Sequence, residues 1–158
     1  MRTIATVGIY HSSLDDFLAK LTRHRVAMVA DVRQRRGVRG RENAWGNSLR
    51  LQAALHEARI QYRYLRELAP TTELRQLQYR EDDRLKVGQR SRVELSATYR
   101  ARYLREVLDP VDLGAVLASL PDESTSGLLC VERDAPACHR SLIATRLHAE
   151  FGVPILNL

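Results

Sequence analysis

Val26-Ala27-Met28-Val29-Ala30 is an uninterrupted apolar run that closes in Asp31-Val32-Arg33, the pattern of a central parallel strand covered on both faces. Just upstream, Leu14, Phe17, Leu18 and Leu21 fall at i, i+3, i+4 and i+7 and form one apolar stripe. Ser12 or Ser13 caps this helix, and Asp15 and Asp16 suit the positive end of its dipole. Before it, Thr3-Ile4-Ala5-Thr6-Val7-Gly8 is β-rich and ends in a turn residue. Strand, helix, strand is a βαβ unit.

Downstream the same grammar recurs. Ser48 caps a helix carrying Leu51, Ala54, Leu55 and Ala58, and Ile60 to Leu65 alternates as a strand near a sheet edge. Helices are expected from Val93 to Leu108, with Leu95, Tyr99, Tyr103 and Val107 at helical spacing, and again after Pro110, with Leu113, Val116, Leu117 and Leu120. Gly127-Leu128-Leu129-Cys130-Val131-Glu132 reads as a second central strand, followed by a helix from His139 to Phe151 and a last strand from Val153 to Leu156. The alternation predicts α/β, a single-domain three-layer sandwich over 1-158, with a mostly parallel sheet of about five strands.

Two segments break the pattern. Residues 34-47 form a basic, glycine-bearing loop with Arg35, Arg36, Arg39, Arg41 and Trp45, and loops of this length in compact domains tend to be functional or mobile. Residues 66-92 are highly charged, contain Pro70 and Gly88, and read as a lid or insertion with a helix around Glu73 to Leu85.

At 158 residues, with 44% hydrophobic and 28% charged residues, the chain has room for one core and not for two domains. Mean hydropathy is −0.33, and charge interrupts every apolar run short of the roughly 18 residues of a membrane span, so no membrane partner or secretory leader is expected. The two cysteines are too few for a disulfide framework, which fits a cytoplasmic location. The net charge is +6, and only Lys20 and Lys86 are lysines, so the cationic groups are overwhelmingly arginine, the planar donor suited to phosphate and carboxylate. An anionic partner, nucleic acid or nucleotide, is the expectation.

In a parallel α/β sheet the ligand sits beyond the carboxyl ends of the strands. That rule selects Gly8 to His11, Asp31 and Arg33, and Cys130 to Arg140. Cys130 and Glu132 end a buried strand, and Cys138-His139-Arg140-Ser141 opens a helix whose free N–H groups favour an anion. Asp31, Glu132, Cys130 and His139 are the candidate catalytic residues. Arg33, Arg39, Arg41, Trp45, Cys138, Arg140, Ser141, Tyr10 and His11 are the candidate substrate contacts. Each also has a structural reading: core cysteines, carboxylates paired with Arg33, Arg133 or Arg140, a hydrogen-bonded buried histidine and a solvated loop. The spacing of Cys130, Cys138 and His139 departs from paired zinc knuckles and lacks a fourth ligand, so no metal or cofactor is expected.

Thr6-Val7-Gly8, Ser13-Leu14-Asp15-Asp16-Phe17, Asp31-Val32-Arg33, Leu65-Arg66-Glu67-Leu68, Leu129-Cys130-Val131-Glu132 and Cys138-His139-Arg140-Ser141 together resemble the domain of unknown function 488 family over nearly the whole chain. The resemblance implies an α/β fold and the place of the site, and carries no assigned reaction. The family commonly has Gly-His after its first strand, whereas here Ile9 and Tyr10 follow Gly8 and the histidine is displaced to His11. More distantly, the order of elements is similar to rhodanese-like domains, with Cys130 in the nucleophile's place and Arg140-Ser141-Leu142-Ile143-Ala144 on the following helix.

Three functions follow as expectations. The first is an enzyme for a nucleic acid, nucleotide or related phosphorylated substrate, with Arg33, Arg39, Arg41 and Arg140 on phosphate and Asp31 and Glu132 as acid and base, assisted by His139. The second is a rhodanese-like thiol enzyme, of sulfurtransferase or phosphatase type, using Cys130. The third is a non-catalytic binding module whose Cys-His-Arg motif braces the crevice.

Overall fold

The computed structural model describes all 158 residues, with strands β1 (Thr3–Val7), β2 (Val26–Asp31), β3 (Gln61–Tyr64), β4 (Thr125–Leu129) and β5 (Ile155–Asn157). They form one sheet in the order β3-β2-β4-β1-β5, and every pairing is parallel. The expected α/β sandwich is therefore present, with a sheet that is parallel throughout.

The helices are α1 (Leu14–Arg23), α2 (Ser48–Glu57), α3 (Thr72–Arg84), α4 (Ala97–Tyr103), α5 (Leu113–Ala118) and α6 (His139–Phe151). Chain direction decides which face each one covers, because parallel crossovers are right-handed. The connections β1 to β2 and β2 to β3 run one way across the sheet and place α1 and α2 on one face. There Phe17, Leu21, Leu51 and Leu55 pack on Val7, Val29 and Leu129. The return to β4 and the step to β5 place the other helices opposite, where Tyr99, Tyr103, Leu117, Ile143 and Leu147 pack on Ile4, Ala30 and Leu128. Successive strand residues feed opposite cores, as Leu128 and Leu129 show. No helix is long and apolar enough to cross a membrane.

Local chemistry sets the boundaries. Ser13, rather than Ser12, caps α1, its hydroxyl accepting from the Asp16 amide at 3.1 Å. Asn47 stands at the cap of α2, so Ser48 is its first helical residue. Ser96 caps α4 through the Tyr99 amide, so that helix starts at Ala97 rather than at Val93, where the apolar spacing implies. A π turn at Leu104–Leu108 then extends it. Asp112, two residues after Pro110, caps α5. The last strand begins at Ile155, because Gly152 ends α6 in the left-handed conformation with φ 66° and Val153 and Pro154 are spent on the return.

Residues 66-92 are built into the domain. Leu68, Leu74, Gln78, Asp82 and Arg92 are all buried, and α3 forms one wall of the cavity described next. The basic loop at 34-47 contains a 3-10 turn, Arg41–Gly46.

Candidate active site

The carboxyl ends of β1, β2 and β4 open into a cavity of about 430 Å³, closed over by α3, the residues after it, and α4. Glycine at position 8 permits this convergence. A methyl group there would overlap the carbonyl oxygen of Glu132, so the end of β1 lies directly against the loop that follows β4. Ile9 and Tyr10 both donate backbone hydrogen bonds to the Val131 carbonyl, at 3.1 and 2.8 Å, which fixes the approach.

Cys130, Cys138, His139 and Glu132 form the floor, all buried and all lining the cavity. The Cys130 thiol donates to Glu132 Oε2 at 3.3 Å. His139 Nδ1 lies 3.5 Å from Cys138 Sγ and 4.0 Å from Cys130 Sγ. Its other nitrogen, Nε2, is 2.8 Å from the Val32 carbonyl. A carbonyl only accepts, so Nε2 carries a proton and Nδ1 is the nitrogen turned to the sulfurs. Burial pushes the Glu132 carboxyl up to about 7, helped by the Cys138 sulfur and opposed by Arg92. Burial likewise drives the Cys130 thiol upward. At Cys138 burial also resists ionisation, but the Cys130 hydrogen bond and the charges of His139 and Arg140 hold the thiol well below its ordinary value. Burial favours neutral His139, and the adjacent Cys138 sulfur overrides it and raises the imidazole.

The other Glu132 oxygen is tied down. Arg92 Nη2 donates to Oε1 at 2.8 Å and Gln89 donates to the same oxygen at 3.2 Å. Arg92 also reaches Asp82 at 2.6 Å and the Ala137 carbonyl at 3.1 Å, so one guanidinium joins α3, the β4 loop and the turn before α6. Sequence reasoning missed Arg92, Gln89 and Gln78, since nothing in their own neighbourhood distinguishes them from surface polar residues.

Several residues read from the sequence as ligand contacts have protein partners. Arg33 is enclosed, with Nε and Nη2 on the two Asp31 oxygens at 2.9 and 2.8 Å and Nη1 on the Gly46 carbonyl. Asp31 accepts in addition from Tyr62 at 2.7 Å. Arg140 is fully buried and donates to the Glu132 and Arg133 carbonyls, at 2.7 and 2.9 Å, which folds the loop between Cys130 and Cys138 back on itself. Ser141 returns its hydroxyl to the Cys138 carbonyl at 2.8 Å. Trp45 donates to the Ser12 carbonyl, packs at 4.8 Å on Phe17 and does not line the cavity. Arg41 is exposed and also lies outside the lining, and His11 meets the Arg90 carbonyl in a shallow neighbouring depression. Tyr10 stays at the cavity wall, beneath the Arg90 guanidinium.

The mouth is cationic. Arg35, Arg39 and Arg75 line it and none has a carboxylate partner, while Arg33 and Arg92 are neutralised by Asp31, Asp82 and Glu132. Glu132 is the sole carboxylate of the lining.

A family model described as Domain of unknown function DUF488 matches residues 13–147, a range that includes this floor. The chain belongs to the DUF488 family. The match spans α1 through most of α6, so it contains every cavity-floor residue of this DUF488 domain. No curated protein and no solved structure shows significant similarity to it.

Proposed function

We propose that this DUF488 domain is an enzyme acting on a phosphate-bearing substrate of nucleotide size, with Glu132 as the group that transfers a proton. The observation that carries the reading is the polarity of the cavity: three guanidiniums without carboxylate partners at the mouth, Arg35, Arg39 and Arg75, above one buried carboxylate at the floor. Guanidinium is the donor of choice for phosphate oxygens. A volume of about 430 Å³ is in the range of small-ligand pockets, and suits one nucleotide unit, free or at the end of a strand, better than a duplex.

The phosphate contacts expected from the sequence at Arg33 and Arg140 are reassigned to Arg35, Arg39 and Arg75, because Arg33 is already held by Asp31 and the Gly46 carbonyl, and Arg140 is held by the Glu132 and Arg133 carbonyls and lies outside the cavity lining. Asp31 lies outside the cavity lining, which leaves Glu132 as the carboxylate beside the substrate. Arg92 and Gln89 hold its Oε1, so Oε2, which accepts only the long 3.3 Å contact from the Cys130 thiol, is the oxygen to accept a proton from water or a substrate hydroxyl.

The test is a thermal-shift and calorimetric series with pyrophosphate, nucleoside mono-, di- and triphosphates and short single strands at two salt concentrations. Stabilisation that weakens with salt and disappears in Arg39→Ala is the expected result. A Glu132→Gln variant should bind and fail to turn over. Absence of any shift across the series overturns the reading. The thiol alternative is separated by mass spectrometry, since it requires a substrate-derived group trapped on Cys130.

A further inference from the structure

We propose that Cys130, Cys138 and His139 form a zinc site with its fourth position open to the cavity. The two sulfurs and the imidazole nitrogen all lie within 4.8 Å of one another. Tetrahedral zinc, with bonds of about 2.3 Å to sulfur and about 2.0 Å to nitrogen, separates sulfur from nitrogen by about 3.5 Å and two sulfurs by about 3.8 Å. The Cys138 to His139 edge already has that length, at 3.5 Å, and the Cys130 edge is 4.0 Å. The widest separation in the cluster is within 4.8 Å, so ligation needs Cys130 to move inward by about 1 Å or less.

The imidazole is oriented as a ligand is. A metal-bound histidine typically donates its second ring nitrogen to a carboxylate or backbone carbonyl, which fixes the tautomer and aims the lone pair. His139 has this arrangement, with Nε2 on the Val32 carbonyl at 2.8 Å and Nδ1 toward both sulfurs. Tyr103 packs across the ring at 5.4 Å and limits its rotation.

The loop between the cysteines is held in the shape the site needs. Arg140 ties the Glu132 and Arg133 carbonyls to α6, and Arg92 ties the Ala137 carbonyl to Glu132 and Asp82. The 3-10 turn at Ala135–Ala137 then delivers Cys138 back beneath the end of β4. This return explains why spacing along the chain argued against a metal: the separation of Cys130 from Cys138 resembles no zinc knuckle, yet the fold brings the two sulfurs together.

Charge and softness select the ion. Two thiolates and a neutral imidazole around a divalent cation leave no net charge, which suits a buried floor, and an S₂N donor set favours zinc over magnesium or calcium. Three protein ligands facing a cavity are the arrangement of a catalytic site, where water or substrate takes the fourth position. Glu132 stands beside it, with Oε2 3.3 Å from Cys130 Sγ and Oε1 held away by Arg92. In that setting the metal activates the fourth ligand, and Glu132 is placed to move its proton. The site goes beyond the phosphate-substrate reading and does not depend on it.

The experiment is metal analysis of the full chain purified without chelators, followed by cobalt loading of the stripped protein. About one zinc per chain and a thiolate-to-cobalt charge-transfer band are expected, with both lost in Cys138→Ser and in His139→Ala. Because those variants strip groups from the core, a second measurement uses the unaltered chain: zinc should protect both thiols from alkylation. No retained metal, no cobalt band, and alkylation at the same rate with and without zinc overturn the site. A cobalt band that survives in Cys130→Ser and Cys138→Ser places the metal elsewhere and also overturns it. Metal binding without any phosphate response leaves the site standing and refutes only the substrate reading.

Discussion

Asp31, the last residue of β2, and Arg33, two positions on, close on each other with two side-chain hydrogen bonds, at 2.9 and 2.8 Å, and are 0% and 2% exposed. The Arg33 amide adds a third bond to Asp31 at 3.1 Å. A pair so enclosed braces the crevice. Arg33→Ala strands a buried carboxylate and should cost about 3–5 kcal/mol in urea unfolding. If it costs less than about 1 kcal/mol and instead abolishes anion binding, Arg33 is a ligand contact after all.

Arg92 satisfies Asp82 and Glu132 together. Arg92→Met leaves two buried carboxylates unpaired, and a loss of about 3–5 kcal/mol is expected from thermal or denaturant unfolding. Arg92→Lys supplies one compact charge where a planar fork joins three elements, so its stability should fall between the two. Equal stability of Arg92→Lys and the unaltered chain would show that the fork geometry is unimportant.

Arg35 and Arg39 are exposed and have no carboxylate partner. Arg35→Ala and Arg39→Ala should each change stability by less than about 0.5 kcal/mol. Each should weaken pyrophosphate or nucleotide binding by about tenfold, the loss of one charge-assisted hydrogen bond. Calorimetry reads both effects, and the salt dependence should become shallower in each variant.

Gly8 and Gly127 offer a matched pair. A methyl group at Gly8 overlaps the Glu132 carbonyl, while one at Gly127 meets Val26 and Val7 at 3.5 and 3.6 Å, ordinary contact distances. Gly8→Ala should cost about 1–3 kcal/mol and displace the loop carrying Glu132, with loss of ligand binding. Gly127→Ala should be the milder change, and the reverse order in melting temperature would refute the close approach.

The elements that bury apolar surface were legible in the sequence. Val26 to Ala30 reads as a covered strand because every residue in it is apolar, and α1 reads from the spacing of Phe17 and Leu21. The α3 wall was only half legible, because its inward face includes Gln78 and Asp82 as well as Leu74, and polar residues give no periodic signal. The rule for strand ends placed Cys130, Glu132, Cys138 and His139 in one crevice. It could not separate braces from free cations: Arg33, Arg140, Arg35 and Arg39 look alike until their partners are known. Arg92 belongs to a contact with Glu132 across 40 positions, and no local pattern encodes that.

The strand order β3-β2-β4-β1-β5 places β1 between two strands from the last third of the chain. During synthesis β1 therefore waits, because both of its hydrogen-bonding neighbours, β4 and β5, are made after β2 and β3. Its edges stay unpaired until β4 inserts between β2 and β1, and the same insertion carries Cys130 and Glu132 into place. Sheet closure and cavity assembly are one late event, dominated by contacts distant in sequence, which is the regime of slow folding and of exposure to aggregation. A ribosome-bound chain stalled before Thr125 would hold β2 and β3 as a pair and nothing of the cavity floor.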